Sequence, residues 1–180
     1  MSHFEIYRDA LKKGYERILI LEDDADVPVD LYEKLDEFFN KTQLQDFDLL
    51  YLGAADKYPP VIINEHMTMS QYTLLTHAKL MSRRGIERML GIVDTTDEGK
   101  VRMTIDVLLA EYLQPFNKTY HITEDIVKII PSVSDIAGWK RTWKTVVSDC
   151  LKQGKKNPKK WEDFEQRART ILNNLNHHIY

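Results

Sequence analysis

The stretch that decides the fold is Arg17-Ile18-Leu19-Ile20-Leu21-Glu22-Asp23-Asp24, an aliphatic run that ends in three carboxylates. A continuous apolar run of this length is typical of a strand buried on both faces, as in a parallel sheet. In an open α/β sheet, ligands gather at the carboxyl ends of the strands, which is where the triplet falls. We therefore expect a buried strand that presents acidic side chains at one edge of a sheet.

Helical and strand-like segments alternate on both sides of this stretch. Apolar residues recur at helical spacing after Ser2, and Gly14 closes that helix. Pro28 begins a second helix, and Asp48–Leu52 repeats the pattern of a buried strand, which Gly53 ends. The alternation predicts a layered α/β domain.

The second half of the chain continues the pattern and then changes. We expect two further helices. One begins at Ser82 with Ile86, Met89 and Leu90 facing inward, and the other is capped by Thr104 with Val107, Leu108 and Tyr112 on its apolar face. After Gly138 the apolar spacing is helical only. We therefore place a layered domain at residues 1–138 and a helical extension, packed on it, at residues 139–180. The further strands are expected at Val61–Ile63, Tyr72–Met81, Thr119–Ile122 and Ile126–Ile130.

Length and composition restrict the class of protein. The chain has 180 residues, 43% of them hydrophobic, which suits one domain rather than two. A net charge of −3 argues against a nucleic-acid binder held by bulk charge. The single cysteine, Cys150, rules out an internal disulfide and suits a reducing compartment. No apolar run approaches the ~20 residues of a membrane span, and no signal peptide precedes the first helix. We expect a cytoplasmic protein.

The acidic triplet has a specific chemistry. Adjacent carboxylates repel one another, which raises a pKa unless a positive charge lies among them. A divalent cation supplies that charge, and oxygen ligands suit Mg²⁺ or Mn²⁺. On an extended chain Glu22 and Asp24 point one way and Asp23 the other, so one or two of them would ligate directly. Phosphate oxygens of a nucleotide can fill the open positions of such a metal. The alternative is an acidic turn, solvated or stabilising the next helix.

Three histidines have two interpretations each. His3 lies near a helix start, where it is either a surface or capping residue or a contact to a bound substrate. His77 lies on a strand whose apolar pattern indicates burial. This favours a core histidine with satisfied hydrogen bonds over a histidine that acts as a ligand. His121, on a short strand, is either structural or a late metal ligand.

The end of the chain carries tryptophans and a basic stretch. Trp139, Trp143 and Trp161 fit helical stripes, which indicates core packing, and the alternative is a platform for stacking sugars. Lys140–Lys160 has eight basic side chains against one acid, Asp149, which favours a solvated connection. Its functional alternative is attraction to an anionic partner, such as lipid head groups at a membrane surface, a phosphorylated glycan or nucleic acid.

Five short elements occur in the order of a known enzyme family. They are Ser2-His3 with Leu21–Asp24, Asp48–Gly53, Ala78–Gly85, Ile105-Asp106, and Pro131 with Ser134-Asp135-Ile136. These resemble the ser-his…leu-glu-asp-asp, leucine-glycine, tyrosine-x-ile-ser-lys-x-gly, pro-ile-asp and pro…ser-asp-ile elements of glycosyltransferase family 25. That family contains bacterial lipopolysaccharide galactosyltransferases and collagen β-galactosyltransferases. No single element is specific, but five in register are.

The resemblance implies a GT-A-like fold and an inverting transfer of a hexose, typically galactose. The donor would be a UDP-sugar and the acceptor a glycan or another hydroxylated molecule. Glu22, Asp23 and Asp24 would form the metal motif, with Asp24 the foremost direct ligand of Mn²⁺ or Mg²⁺, which stabilises the leaving diphosphate. Inversion also needs a general base, for which Asp106 is the candidate and Glu111 or Asp135 the alternatives. The resemblance assigns donor binding to His3, Glu22, Asp23, Ser134 and Asp135.

A hypothesis of a different class is a truncated, non-catalytic glycosyltransferase-like module for binding or assembly. It is motivated by the family's first strand, which has no counterpart ahead of Ser2. An open sheet edge there would invite a partner chain, so a homodimer is expected. A nucleic-acid module built on Lys140–Lys160 ranks third, and no nucleic-acid partner is expected.

Overall fold

The helices and strands up to Ile130 follow the order that the sequence predicts, with two short strands added at Ala25–Asp26 and Met67–Met69. The computed structural model describes residues 3–94, 104–130, 132–133 and 140–141, with single positions at 148, 152, 162 and 166. Its strands are β1 (Arg17–Leu21), β2 (Ala25–Asp26), β3 (Leu49–Asp56), β4 (Val61–Ile62), β5 (Met67–Met69), β6 (Thr73–Ser82), β7 (Thr119–Ile122), β8 (Lys128–Ile129), β9 (Ser132–Val133) and β10 (Lys140–Arg141). Its helices are α1 (His3–Lys12), α2 (Leu31–Thr42), α3 (Arg83–Asp94) and α4 (Ile105–Leu108), the last followed by a π-helical turn (Leu109–Leu113) and a 3₁₀ turn (Gln114–Phe116).

The central sheet has six strands in the order β1-β6-β3-β7-β5-β4. Only β3 and β7 pair in parallel, so the expectation of a parallel sheet is wrong. The strand β1 is an edge strand that pairs with β6 alone, and of its five residues only Ile20 is buried. The strand packs against both cores, through Leu19 on one face and Ile18 and Ile20 on the other, but it is covered only in part. The prediction of a strand buried on both faces is therefore also wrong, because the elements around an edge strand cover it incompletely.

The strands β1, β3 and β7 nevertheless run in the same direction. This follows because β6 is antiparallel to both β1 and β3, while β7 is parallel to β3. Their carboxyl ends, at Leu21, Asp56 and Ile122, therefore lie at one edge of the sheet, called here the carboxyl edge. The opposite edge, where β3 and β7 begin, is called the amino edge.

Hydrophobic side chains cover both faces of the sheet, as expected of a layered α/β domain. Alternate residues of a strand point to opposite faces, so β3 contributes to two cores. Leu50 and Leu52 pack in a cluster with Leu35 and Phe38 of α2. The cluster on the other face joins α1, α3 and α4 to the sheet through buried Tyr7, Tyr51, Met81, Ile86, Met89, Leu90 and Leu108. The predicted inward face of α3 is confirmed.

Several predicted boundaries are wrong. Helix α2 begins at Leu31, with Asp30 as its N-cap, rather than at Pro28. The strand β3 does not end at Gly53 but continues to Asp56. Glycine is needed there because a Cβ would lie 1.7 Å from the carbonyl oxygen of Val127, which crosses close to the strand. The strand expected at Ile126–Ile130 shortens to β8.

The helix expected from Thr104 changes character after one turn. Thr104 is the N-cap, but its side chain makes no capping bond and instead donates to the Asp106 carboxylate. The π-helical turn that follows α4 alters the spacing of side chains. Leu108 is buried, but Tyr112 is 43% exposed, so the predicted apolar face was wrong at Tyr112.

The predicted helical extension lies mostly outside the described residues. Positions 148, 152, 162 and 166 are helical, whereas β10 pairs with β9 as a strand, so the helix expected from Trp139 does not include Lys140–Arg141. The three tryptophans, Cys150, Ser134 and Asp135 lie outside the described residues. Within the described part of the chain, no helix has the length and apolar character to cross a membrane.

Candidate functional site

The acidic element Glu22-Asp23-Asp24 lies at the carboxyl edge, directly after β1. It is a turn rather than an extended segment, since the Ala25 amide donates to the Glu22 carbonyl at 3.1 Å. The chain beyond it is held by β8, which pairs with β2, and by the Ile130 amide, which donates to the Asp24 carbonyl at 2.8 Å. Asp23 is exposed, whereas Glu22 and Asp24 are half-buried.

The Glu22 carboxylate is held by three side chains. Its Oε1 accepts hydrogen bonds from Thr76 Oγ1 at 2.5 Å and from His3 Nε2 at 3.1 Å. Lys79 Nζ lies 3.9 Å from the same oxygen. Burial by itself raises the pKa of Glu22, but these hydrogen bonds and the charge of Lys79 outweigh it and lower the pKa to about 2. Glu22 is therefore ionised, and His3, which was predicted to contact the donor, is bonded to it.

A bulge in β6 brings Thr76 to this carboxylate. Gly53 pairs with Ala78 and Ala55 with Leu74, so residues 75–77 of β6 stand opposite Ala54 alone. Leu75 has a φ of 74°, a left-handed conformation that a branched side chain rarely adopts. Such strain persists only where the surroundings enforce it, and bulges are frequent beside functional sites.

His77, the last residue of the bulge, is a buried histidine. Its Nε2 is 3.1 Å from the Val127 carbonyl oxygen and donates to it, as the core interpretation predicts. Burial lowers the pKa of His77, and the hydrogen bond to Val127 and the charges of Asp24, Glu22 and Asp125 oppose that effect. Carboxylates from two separate segments therefore act on one buried imidazole at the carboxyl edge.

Asp24 differs from its neighbours in being unsatisfied. Its Oδ1 is buried, and no group among the described residues donates to it. A buried carboxylate oxygen without a donor is costly, and a divalent cation would satisfy it. Asp24 therefore fits the predicted role of metal ligand. In the described part of the chain, no three histidine, cysteine or acidic side chains are grouped so as to hold a metal, so the predicted acidic triplet does not form a three-ligand site by itself.

Asp106 lies half-buried at the start of α4, on the helix that packs against β6. Its Oδ1 accepts the Val107 amide at 2.8 Å. Burial lowers the pKa of Lys79 to about 8, and the charges of Glu22 and Asp106 oppose that effect. The predicted metal motif and the predicted base therefore act on the same buried lysine. Glu111, the alternative base, accepts a 2.6 Å hydrogen bond from the Tyr72 hydroxyl.

A family model described as glycosyltransferase family 25 (LPS biosynthesis protein) matches residues 1–125, well over half of the chain. The chain belongs to glycosyltransferase family 25. The resemblance predicted from the sequence is confirmed, and four of its five elements lie inside the matched region. The fifth, at Pro131 and Ser134-Asp135-Ile136, lies beyond it. No curated protein matches the chain.

A second carboxylate group at the carboxyl edge of this family 25 domain was missed by sequence reasoning. His121 donates from Nδ1 to Asp56 Oδ2 at 3.1 Å and from Nε2 to Asp125 Oδ1 at 2.9 Å. Burial opposes the charge on His121, but the two carboxylates outweigh burial and raise its pKa. Both ring nitrogens are engaged, which argues against His121 as a metal ligand. The sequence contained a signal for this group, since Asp56 is the last residue of β3 and Asp125 follows β7. It was missed because β3 was predicted to end at Gly53.

Proposed function

We propose that this family 25 chain is a metal-dependent inverting glycosyltransferase with a GT-A-like fold. It would transfer a hexose, with galactose the first donor to test, from a UDP-sugar to a hydroxyl of a glycan or another hydroxylated acceptor. Family membership supports transfer of a sugar. The observation that carries the rest is the buried Asp24 Oδ1, which has no donor among the described residues and lies at the carboxyl edge, where α/β sheets bind ligands.

The residues around Asp24 suit a nucleotide diphosphate. A cation held at Asp24, Mn²⁺ or Mg²⁺, would act as a Lewis acid that offsets the charge of the leaving diphosphate. Asp23 is exposed in the same turn and is free to face the donor or the cation. Glu22 is bonded to His3 and Thr76, so its part is to hold the turn in place.

Transfer with inversion requires one displacement. The acceptor oxygen attacks the anomeric carbon, the bond from that carbon to the diphosphate oxygen breaks, and its electron pair leaves with UDP. The acceptor proton passes to a general base, a role that we assign to Asp106. Asp106 is half-buried, and its charge acts on Lys79 as does that of Glu22. Glu111, whose carboxylate accepts the Tyr72 hydroxyl, is the alternative base.

Calorimetric titration of UDP, with and without Mn²⁺, tests the proposal. We expect Mn²⁺-dependent binding that Asp24→Ala abolishes. The matched control is Asp26→Ala, which removes an exposed carboxylate two residues further on, and this variant should bind UDP as the parent does.

Two results would contradict the proposal. Binding that survives Asp24→Ala would show that the acidic turn is not the metal motif. A parent protein that binds no UDP under either condition would favour the non-catalytic binding or assembly module.

A further inference from the structure

Lys79 is a lysine with no exposed surface in the core of a sheet. It lies on β6, opposite Ile20 of β1 and Tyr51 of β3, on the face that α1, α3 and α4 cover. Among the described residues it is the one lysine or arginine in the buried set. A buried ammonium group is unfavourable unless it is paired and hydrogen-bonded, so its partners indicate what it does.

The hydrogen bond and the ion pair of Lys79 are both made at the carboxyl edge. Its Nζ donates to the Thr76 carbonyl at 2.9 Å and lies 3.9 Å from Glu22 Oε1. The Thr76 hydroxyl donates to that same Glu22 oxygen. Lys79 therefore reaches Glu22 twice, directly as a charge and indirectly through Thr76.

The contact with Thr76 falls at the strained part of β6. The bulge places Leu75 in a left-handed conformation and presents the His77 carbonyl to the Glu22 amide at 2.8 Å. A strained bulge persists only if surrounding bonds hold it. The bond from Lys79 to the Thr76 carbonyl is one of these, made from inside the core.

Glu22 in turn fixes the turn that carries Asp24. Its amide and its carboxylate are both bonded to the bulge, through His77 and Thr76. Asp24 is two residues further along the same turn. Lys79 is therefore linked to the turn that carries Asp24 through Thr76 and Glu22, although its own side chain has no exposed surface.

We propose that Lys79 is a positioning residue of the donor site, which holds the β6 bulge and the Glu22 carboxylate so that Asp24 is presented to the cation. This inference rests on the proposed function. Partners that orient a metal-binding group from behind typically change metal affinity or activity about 10- to 100-fold when removed. We expect Lys79→Met to weaken Mn²⁺-dependent UDP binding by about that factor.

The experiment compares Lys79→Met, Glu22→Gln and the double variant in the full chain. UDP affinity in the presence of Mn²⁺ is measured by calorimetry, and the fold is checked by circular dichroism and urea unfolding. Because both changes act on the same contact, the double variant should bind no more weakly than the weaker single variant. The matched control is Lys118→Met, whose ammonium pairs with Asp46 at the amino edge. It should keep the parental affinity.

Several results would overturn the proposal. One is a folded Lys79→Met variant with parental affinity, and another is a double variant whose losses multiply. If Lys79→Met does not fold, removing the Glu22 charge as well should restore folding. A double variant that stays unfolded would then show that Lys79 supports the core independently of Glu22. If the parent protein binds no UDP, the proposed function and this inference are both overturned. If the parent binds UDP and Lys79→Met binds it equally well, this inference alone is overturned.

Discussion

Two groups of carboxylates at opposite edges of the same sheet differ in how they are satisfied. At the amino edge, the Asp48 side chain is fully buried. Its carboxylate accepts hydrogen bonds from Arg84 Nε and Arg88 Nη1, each at 2.6 Å, and from the Lys118 amide at 2.9 Å. At the carboxyl edge, Asp24 Oδ1 is buried with no donor in the described part of the chain. A carboxylate whose oxygens are both hydrogen-bonded holds elements together, whereas one with an oxygen that lacks a donor is available to a ligand.

The structural reason lies in what meets at each edge. At the amino edge the starts of β3, β7 and α3 converge on the backbone of Asp48, whose amide donates to the Lys118 carbonyl at 2.8 Å and whose carbonyl accepts from Ser82 at 3.2 Å. At the carboxyl edge the partners are histidines, a threonine and a buried lysine around a bulged strand. We expect the first arrangement to support stability and, under the proposed function, the second to support binding.

The largest effect is expected at Asp106. Asp106→Asn keeps the size of the side chain but cannot accept the acceptor proton, so turnover should fall roughly 10²- to 10⁴-fold. UDP affinity and the unfolding midpoint should stay at the parental value. Turnover is measured with the UDP-sugar and acceptor that the parent uses. A variant that turns over at the parental rate would show that Asp106 is not the base.

Asp48→Ala should have the opposite profile. It removes the acceptor for two guanidinium groups and one amide, and it leaves the amide without a partner. Because both arginines are partly exposed, we expect a loss of about 2–4 kcal/mol in unfolding free energy, below the cost of breaking a fully buried pair. Urea unfolding measures this free energy. At urea concentrations below the unfolding transition, the UDP affinity of the variant should equal that of the parent. A large loss of UDP affinity would show that the two edges are not separate in function.

Two glycine-to-alanine variants, one near each edge, test whether the edges differ in function. A Cβ on Gly53 would lie 1.7 Å from the Val127 carbonyl oxygen, and one on Gly85 would lie 2.1 Å from the Asp48 carbonyl oxygen. Since both obstacles are backbone atoms, each glycine-to-alanine variant should lose about 1–3 kcal/mol. Gly53→Ala should also weaken UDP binding, because Val127 contacts His77 at the site, whereas Gly85→Ala should not. Equal UDP affinities in two folded variants would contradict this.

The smallest effect is a pH dependence at Glu22. The pKa of Glu22 in the folded state is about 2, below the usual glutamate value of 4.5. The stabilisation by this carboxylate is therefore complete above the higher value and is lost as the pH falls toward the lower one. The difference in unfolding free energy between the parent and Glu22→Gln should accordingly shrink from neutral pH to about pH 3. A difference that stays constant would show that the charge of Glu22 does not contribute.

Sequence reasoning was accurate where local pattern decides the outcome. Periodicity predicted α3 and its inward residues, and the aliphatic run predicted a strand that ends in the acidic element. Sequence reasoning failed where the pairing of strands determines the structure. The antiparallel return of β6 between β1 and β3 leaves the periodicity of β1 unchanged, so a parallel sheet was the natural expectation. Gly53 reads as a strand end, but it is the position where Val127 crosses closely.

By itself the sequence determined the family, the layered α/β class and the placing of Glu22-Asp23-Asp24 after a strand, because motifs and apolar spacing are local properties. Only the tertiary structure decided which carboxylates are satisfied. One partner of Glu22, Thr76, is 54 residues away, and one partner of Asp56, His121, is 65 residues away. Such contacts depend on strand register and on one bulge. For that reason the burial of Lys79, the two hydrogen bonds of His121 and the Asp24 oxygen without a donor among the described residues became visible only once the chain was folded.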